Sequence, residues 1–292
     1  MNRHCGLDPQ SPECKGTPSC SGDGGCSSAM TGKALVTPIH KKNVVMFHFE
    51  EGEVILIDKP LDWTSFDTVN FIRSLVNRFY GIRKLKVGHA GTLDPLATGL
   101  LILCTGKMTK QIESFQAQVK TYTGTIQLGQ TTPTFDLESE PNAFFPTDGI
   151  TPEQIEAARQ QFIGELKQYP PKYSAIKIKG KRAFDYARSD EEIELKARDV
   201  RIDDFKISLD RFPELDFEVT CSKGTYIRSL ANDFGKALNN GACLKSLRRT
   251  RIGDFKVEDA WPLEKLKQRI IDTGDAFKEW KKAELEKAAK QA

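Results

Sequence analysis

Short apolar runs and amphipathic segments alternate along the chain from about residue 50 onward. The runs VILIDKP (54–60) and LLILCTG (100–106) predict two strands, the first of them closed by a proline. Between these runs, apolar residues spaced by three and four positions predict an amphipathic helix that Ser65 would cap. The residues of its apolar face are Val69, Ile72, Leu75, Val76 and Phe79.

The middle of the chain continues this mixture of strands and helices. Apolar and polar residues alternate in 121–128 and 216–224, which predicts two further strands. The acidic, proline-rich stretch 132–149 has no clear period and predicts a loop. TPEQ (151–154) supplies a helix cap, a proline at the first helical position and a capping-box glutamine. An apolar face over 227–238 predicts another helix.

We expect the chain to divide into three parts. Residues 1–45 are rich in Gly, Ser and Pro and offer little to bury, so we predict a disordered or artefactual extension. Residues 46–262 form the folded domain, and 263–292 form a charged helical tail. Strands and helices do not alternate regularly, which favours an α/β (α+β) fold with a mixed, mostly antiparallel sheet flanked by helices.

Composition excludes some classes of protein. The formal net charge of +3 is too small to indicate a nucleic-acid partner by itself. No apolar run reaches the roughly 20 residues that span a bilayer, and no signal-peptide pattern follows Met1. We therefore expect a soluble, cytoplasmic protein that does not bind a membrane. The cysteines and histidines show no ligand spacing, so we expect no metal site.

The most unusual segment is GHAGTLDPLATG (88–99), in which glycines and a proline surround His89 and Asp94. Glycine permits positive φ and close backbone approach, while proline stiffens a turn. Such a loop can hold a carboxylate rigidly at the mouth of a site. A structural turn capped by Asp94 explains the spacing as well. Neither a complete phosphate-binding loop nor a G-x-S-x-G elbow is found in the sequence.

Basic residues cluster in PPKYSAIKIKGKRAFDYAR (170–188), where aromatic residues are interleaved, and again in SLRRTR (246–251). Interleaved cations and aromatic rings suit RNA phosphates and stacked bases. A solvated, lysine-rich hairpin explains the first cluster equally well. The candidate contacts to an RNA backbone are Lys177, Lys179, Lys181, Arg248 and Arg249.

Five motifs in order resemble the bacterial TruB family, the tRNA pseudouridine-55 synthases. They are GHAGTLDPLATGLL, KTYTGTIQLG, PPKYSAIKIKGKRAFDYAR, CSKGTYIRSLANDFG and SLRRTRIG, and they cover about 52–254. Each fragment is weak evidence alone, but the joint match is specific and favours a catalytic Asp94 over a simple turn. The resemblance implies the pseudouridine synthase fold with a basic thumb hairpin, and an isomerase that converts uridine 55 in the T-arm of tRNA to pseudouridine.

The resemblance also implies a role for individual residues. Asp94 in GTLDP matches the catalytic aspartate, Tyr122 would stack on the target uracil, and Arg228 would pair with Asp94. The other implied substrate contacts are Lys59, His89, Asp136, Tyr226 and Leu247.

The sequence departs from the family pattern in two places. Many members carry a further acidic residue two or three positions before Asp136, where Pro133 and Thr134 stand here. Many members also end in an RNA-binding PUA domain, for which 263–292 is too short. We therefore expect a monomer that binds the T-arm stem-loop with its catalytic domain alone, without a guide RNA.

The implied chemistry needs neither a redox step nor a group carrier, so we expect no cofactor. A carboxylate such as Asp94 is ionised at neutral pH and can attack C1′ of the sugar, attack C6 of uracil, or abstract a proton. Two alternatives stay open. One is a guide-RNA-dependent synthase of the archaeal and eukaryotic type, which typically carries a PUA domain. The other is a non-catalytic RNA-binding protein, which has no need for a carboxylate–arginine pair.

Overall fold

The computed structural model describes residues 46–174, 177–178, 181–182, 186 and 195–291. The strands are β1 (Val54–Lys59), β2 (Val87–His89), β3 (Ala97–Thr105), β4 (Lys120–Leu128), β5 (Gln130–Thr131), β6 (Ala143–Phe144), β7 (Gly164–Gln168), β8 (Lys177–Ile178), β9 (Lys181–Arg182), β10 (Arg198–Arg211), β11 (Glu214–Cys221), β12 (Ala242–Ile252), β13 (Phe255–Lys256) and β14 (Trp261–Pro262). The helices are α1 (Ser65–Tyr80), α2 (Ile112–Ala117), α3 (Pro152–Gln160), α4 (Ile227–Ala237) and α5 (Leu263–Gln291).

One large sheet organises the described residues, in the order β14-β1-β3-β12-β4-β11-β10-β7. Strand β2 pairs with β3, and β13 pairs with β12. Among the described strand pairs of this sheet, β1–β14 and β3–β12 are parallel and the others are antiparallel. The predicted α/β (α+β) fold with a mixed, mostly antiparallel sheet is confirmed.

Two apolar clusters pack helices against this sheet. The first joins α3 and α4 to β4, β10, β11 and β12, with Phe205 and Phe234 completely buried. The second joins α1 and α5 to β1, with Ile57, Ile72 and Ile270 completely buried. Burial of each such side chain contributes about 1.5–3 kcal/mol, so both clusters anchor the strands that carry the site.

The C-terminal helix belongs to the second cluster over much of its length. Leu266, Ile270 and Phe277 are buried, whereas the residues from 282 to 290 are exposed. The predicted helix after Pro262 is confirmed, and its first half is part of the core. No helix in the described ranges combines the length and apolar character needed to cross a membrane.

The first residues of the helices have roles that depend partly on local sequence and partly on contacts with distant segments. The capping box of α3 at Thr151 and Gln154 is confirmed. The predicted cap of α1 at Ser65 is wrong, because Thr64 accepts from the Asp67 amide and forms the capping box. The Ser65 hydroxyl instead bonds to the chain just before Asp94. The predicted loop at 132–149 contains one short strand, β6, which pairs with β5 just before the loop.

Candidate active site

Two side chains from distant parts of the chain hold the loop that carries Asp94. Ser65 Oγ accepts a hydrogen bond from the Leu93 amide at 2.8 Å and donates to the Leu93 carbonyl at 3.1 Å. The Arg249 guanidinium donates to the carbonyls of Gly91 at 3.1 Å and Thr92 at 3.4 Å. These bonds satisfy buried backbone groups next to Asp94 and therefore fix where its carboxylate lies.

Lys59 also forms hydrogen bonds to backbone carbonyls of the Asp94 loop and of the turn after β1. Its side chain is completely buried, and Nζ donates to the carbonyls of Pro60 at 2.8 Å, Trp63 at 2.5 Å and Pro95 at 3.5 Å. Burial lowers the pKa of the Lys59 ammonium to about 8, an effect that the nearby Asp94 carboxylate partly opposes. The Lys59 side chain is thus fully buried and is not among the residues that line the cleft beside Asp94, and its predicted substrate contact stays a prediction.

Arg228, the second residue of α4, connects three segments of the chain. Its Nε lies 3.0 Å from Asp94 Oδ2 and 3.6 Å from Asp136 Oδ2. Its Nη1 donates to the Thr134 carbonyl at 3.1 Å, and its Nη2 donates to the Tyr173 carbonyl at 2.9 Å. The Nε–H is not aligned for a hydrogen bond to either carboxylate, so those two contacts are electrostatic. One arginine therefore binds the Asp94 loop, the Asp136 loop and the segment that leads into the predicted thumb.

Exposure distinguishes the two carboxylates that share this arginine. The Asp94 side chain is 39% exposed, whereas those of Asp136 and Arg228 are each 6% exposed. A small cleft of about 10 Å³ opens beside Asp94, room for about one water molecule. Its lining includes Asp94, Ala97, Asp136, Arg228, Leu244 and Leu247. Of the two carboxylates, Asp94 is the one that a substrate can reach.

Tyr122 and Leu247 lie near the Asp94 and Asp136 carboxylates and give the site an aromatic and an apolar wall. Tyr122 on β4 pairs in register with Arg249, and Leu247 pairs with both Ala97 and Gly124. Burial raises the pKa of the Tyr122 phenol, so the group is neutral at physiological pH.

Tyr226 is held by a residue that the sequence did not single out. Gln168 Oε1 accepts from the Tyr226 amide at 2.7 Å, and Gln168 Nε2 donates to the Tyr226 carbonyl at 3.0 Å. Ser229 Oγ also donates to the Tyr169 carbonyl at 2.8 Å. The end of β7 is thus fixed to the first turn of α4, two residues from Arg228. A glutamine at the end of a strand has no local pattern that would reveal this role.

His89 ends β2, and its imidazole is partly buried. Burial, together with the nearby Arg249 charge, lowers the pKa of this imidazole. Its Nδ1 atom has no hydrogen-bond partner in the described structure. The Nδ1 atom is itself buried, and the predicted place of His89 beside the substrate stays a prediction.

The candidate RNA-backbone cations fall into different settings. Arg249 is 1% exposed, and its Nε also donates to the Leu100 carbonyl at 2.7 Å. Its predicted contact with RNA phosphates does not fit this position, because the guanidinium is buried against backbone carbonyls. Arg248 is partly exposed and forms a two-point ion pair with Asp58 at 2.9 and 2.8 Å. Its predicted RNA contact stays a prediction.

The thumb lysines are described only in part. Lys177 and Lys181 lie on the paired strands β8 and β9, but their side chains are outside the described part of the structure, and Lys179 is outside it altogether. Their RNA contacts stay predictions. Within the described residues, no group of three or more His, Cys, Asp or Glu side chains could hold a metal ion.

A surface carboxylate paired with a buried arginine on a mixed sheet is the arrangement that the resemblance to the pseudouridine synthases implied. Residues 77–227 match the N-terminal domain of the TruB family pseudouridylate synthases, and residues 228–286 match the tRNA pseudouridylate synthase B C-terminal domain. The chain belongs to the TruB family, which confirms the resemblance seen in the sequence. It is therefore an isomerase.

Curated relatives are similar over most of their length. One from Phocaeicola vulgatus is 56% identical over 74% of this chain and 92% of its own. One from Flavobacterium johnsoniae is 54% identical over 72% of this chain and 92% of its own. Both are named tRNA pseudouridine synthase B.

Solved structures agree with the fold. A Cbf5-Nop10-Gar1 complex contains a chain with a TM-score of 0.58 at 28% identity, over 81% of this chain and 61% of that one. An H/ACA RNP bound to a substrate RNA containing 2'-deoxyuridine gives 0.55 at 26%, over 76% of this chain and 54% of that one. This chain thus spans between half and two thirds of these two structural neighbours.

Proposed function

We propose that this protein isomerises uridine 55 in the T-arm of tRNA to pseudouridine, with Asp94 as the catalytic carboxylate. The observation that carries the proposal is a solvent-accessible Asp94 carboxylate held 3.0 Å from a buried Arg228. Relatives named tRNA pseudouridine synthase B, at 56% and 54% identity, support tRNA as the substrate. The proposed catalytic domain is 46–262, and the first half of α5 packs into its core through Leu266, Ile270 and Phe277.

The reaction moves one bond and one proton. The C1′–N1 bond of uridine breaks, the uracil rotates, and a new bond forms between C1′ and C5. The proton on C5 leaves, and N1 gains a proton, so the overall composition is unchanged. Arg228 orients Asp94, because its charged guanidinium lies 3.0 Å from the Asp94 carboxylate. Neither a redox partner nor a group carrier takes part, and no cofactor is proposed.

The uridine has to leave the stack of the RNA loop to reach Asp94. A cleft of about 10 Å³ is too small for a uracil ring, so the segments that Arg228 connects have to separate slightly when the base enters. Tyr122 and Leu247 then supply the aromatic and apolar surfaces that replace base stacking. Binding energy from the RNA stem would offset the cost of this opening.

A bare T-arm hairpin labelled with tritium at C5 of the target uridine tests the proposal, because the label is released as the C5 proton leaves. We expect full release by the wild-type chain and by Asp210→Asn, a matched control at an exposed aspartate on β10. We expect essentially none from Asp94→Asn. Activity that requires an added guide RNA would favour the guide-dependent alternative, and binding without release by the wild type would favour a non-catalytic RNA-binding protein.

A further inference from the structure

A second concave surface lies at the opposite end of β3 from the Asp94 loop. It encloses about 630 Å³ and is formed by the connection between α1 and β2 and by the short 3-10 helix Gly106–Gln111 that follows β3. Five exposed cations lie along this surface, which we call the distal basic surface. They are Arg83, Lys84, Lys86, Lys107 and Lys110.

The charge of the distal basic surface is not compensated by the described part of the chain. None of its five cations forms an ion pair or a side-chain hydrogen bond there, whereas some exposed cations elsewhere, such as Lys206 and Arg211, have carboxylate partners. The carboxylate that borders the concavity, Glu50, is already bound by Lys281 at 2.7 Å. Like charges gathered around a concave wall raise the local positive potential and attract a polyanion.

The position of this surface identifies which part of an RNA it can reach. Strand β3 begins beside the cleft at Ala97 and ends at Thr105, where Val87 pairs with it. Eight residue steps of about 3.3 Å place the two ends about 26 Å apart. A stem of five base pairs covers at most about 17 Å, even at the rise of about 3.4 Å per pair of B-form DNA. The A-form helix of RNA rises less per pair, so the stem of a T-arm placed at the cleft falls short of the far end of β3.

We propose that the distal basic surface binds backbone phosphates of tRNA that lie outside the T-arm. The inference rests on the proposed function, because it assumes that the T-loop occupies the Asp94 cleft. The lysines and the arginine of this surface are held next to the end of β3 and can contact phosphates. Such contacts position a nucleic acid without reading its sequence. The catalytic domain would thus have two points of contact with a whole tRNA and one with the isolated hairpin.

The test compares a whole tRNA with its T-arm hairpin, using Lys84→Ala, Lys107→Ala and Lys110→Ala combined. For tRNA we expect at least about tenfold weaker binding, and a slope of log affinity against log salt that is smaller by about 2 to 3, since each lost phosphate contact removes about 0.7–0.9. Binding and conversion of the hairpin should not change. The matched control combines Lys206→Ala, Lys236→Ala and Lys265→Ala, on β10, α4 and the start of α5, and should leave tRNA binding at the wild-type level.

Two outcomes would overturn the inference. Unchanged tRNA binding by the triple variant would show that these lysines contact no phosphate. An equal loss for tRNA and for hairpin would place the surface on the T-arm itself. Conversion of the hairpin by the wild-type protein tests the proposed function separately. If the wild type forms no product from the hairpin, the proposed function fails, whatever the triple variant does. Lys84, Lys107 and Lys110 are exposed and form no ion pair within the described residues, so thermal unfolding of their triple variant should match the wild type.

Discussion

Asp94→Asn separates the charge of the carboxylate from its shape. Asparagine has nearly the same size and also forms good turns, so the loop held by Ser65 and Arg249 should keep its conformation. The substitution removes the negative charge at 3.0 Å from Arg228. If Asp94 carries the chemistry, binding should survive and turnover should not.

The structure indicates that the fold tolerates this change. At an effective dielectric constant of about 20, the gross attraction is about 5.5 kcal/mol for the Arg228–Asp94 pair and about 4.6 kcal/mol for the Arg228–Asp136 pair, before desolvation is subtracted. Arg228 therefore keeps a carboxylate of similar strength, along with two carbonyl acceptors. We expect a stability loss of only about 1 kcal/mol or less, because surface-accessible pairs contribute little net energy.

Arg228→Ala provides the contrasting variant. It leaves the buried Asp136 without its cation, and breaking a buried pair in this way typically costs about 3–5 kcal/mol. Its turnover should also fall strongly. The two substitutions should be non-additive, because Asp94 and Arg228 act as one unit.

The measurement is single-turnover tritium release from the T-arm hairpin, with hairpin affinity and thermal unfolding measured on the same preparations. We expect Asp94→Asn to bind the hairpin with near wild-type affinity and to turn over at less than about a hundredth of the wild-type rate, since positioned catalytic groups contribute about 10²-fold or more. A faster variant would refute the assignment of Asp94. A large loss of stability would refute the view that Asp136 keeps Arg228 paired.

Three further predictions follow from the surroundings of the site. Gln168→Met removes two hydrogen bonds to the backbone of Tyr226 and should lower kcat about tenfold with little change in KM. Gln168→Glu keeps the acceptor and should restore part of the rate. Equal effects of both variants on KM alone would contradict a positioning role. Burial lowers the Lys59 pKa from 10.5 to about 8, so the unfolded state binds more protons between these pH values. The wild type should therefore gain up to about 3 kcal/mol of stability relative to Lys59→Met from pH 8 to 10.5, and parallel stability curves would show that Lys59 is not the group responsible. Activity on the folded hairpin should survive exhaustive chelation because the reaction needs no Lewis acid, and recovery of a chelated, inactive enzyme by zinc alone would contradict this.

Local patterns in the sequence were sufficient for most of the secondary structure. The spacing of Val69, Ile72, Leu75 and Val76 predicted α1, and the Thr151 capping box predicted the start of α3. Both depend on residues within a few positions of each other, where helix geometry fixes which side chains meet. The family could also be inferred, because five motifs in order are specific even though each one is weak.

Tertiary structure decided which polar side chains support the site. Arg249 looked like a surface cation within a basic run, but the position of β12 between β3 and β4 buries it against carbonyls near Asp94. Ser65 looked like a helix cap, yet its hydroxyl meets Leu93 across 28 positions of sequence. Gln168 gave no signal at all. These roles depend on strand order and register between distant segments, and no local period in a single sequence encodes those contacts.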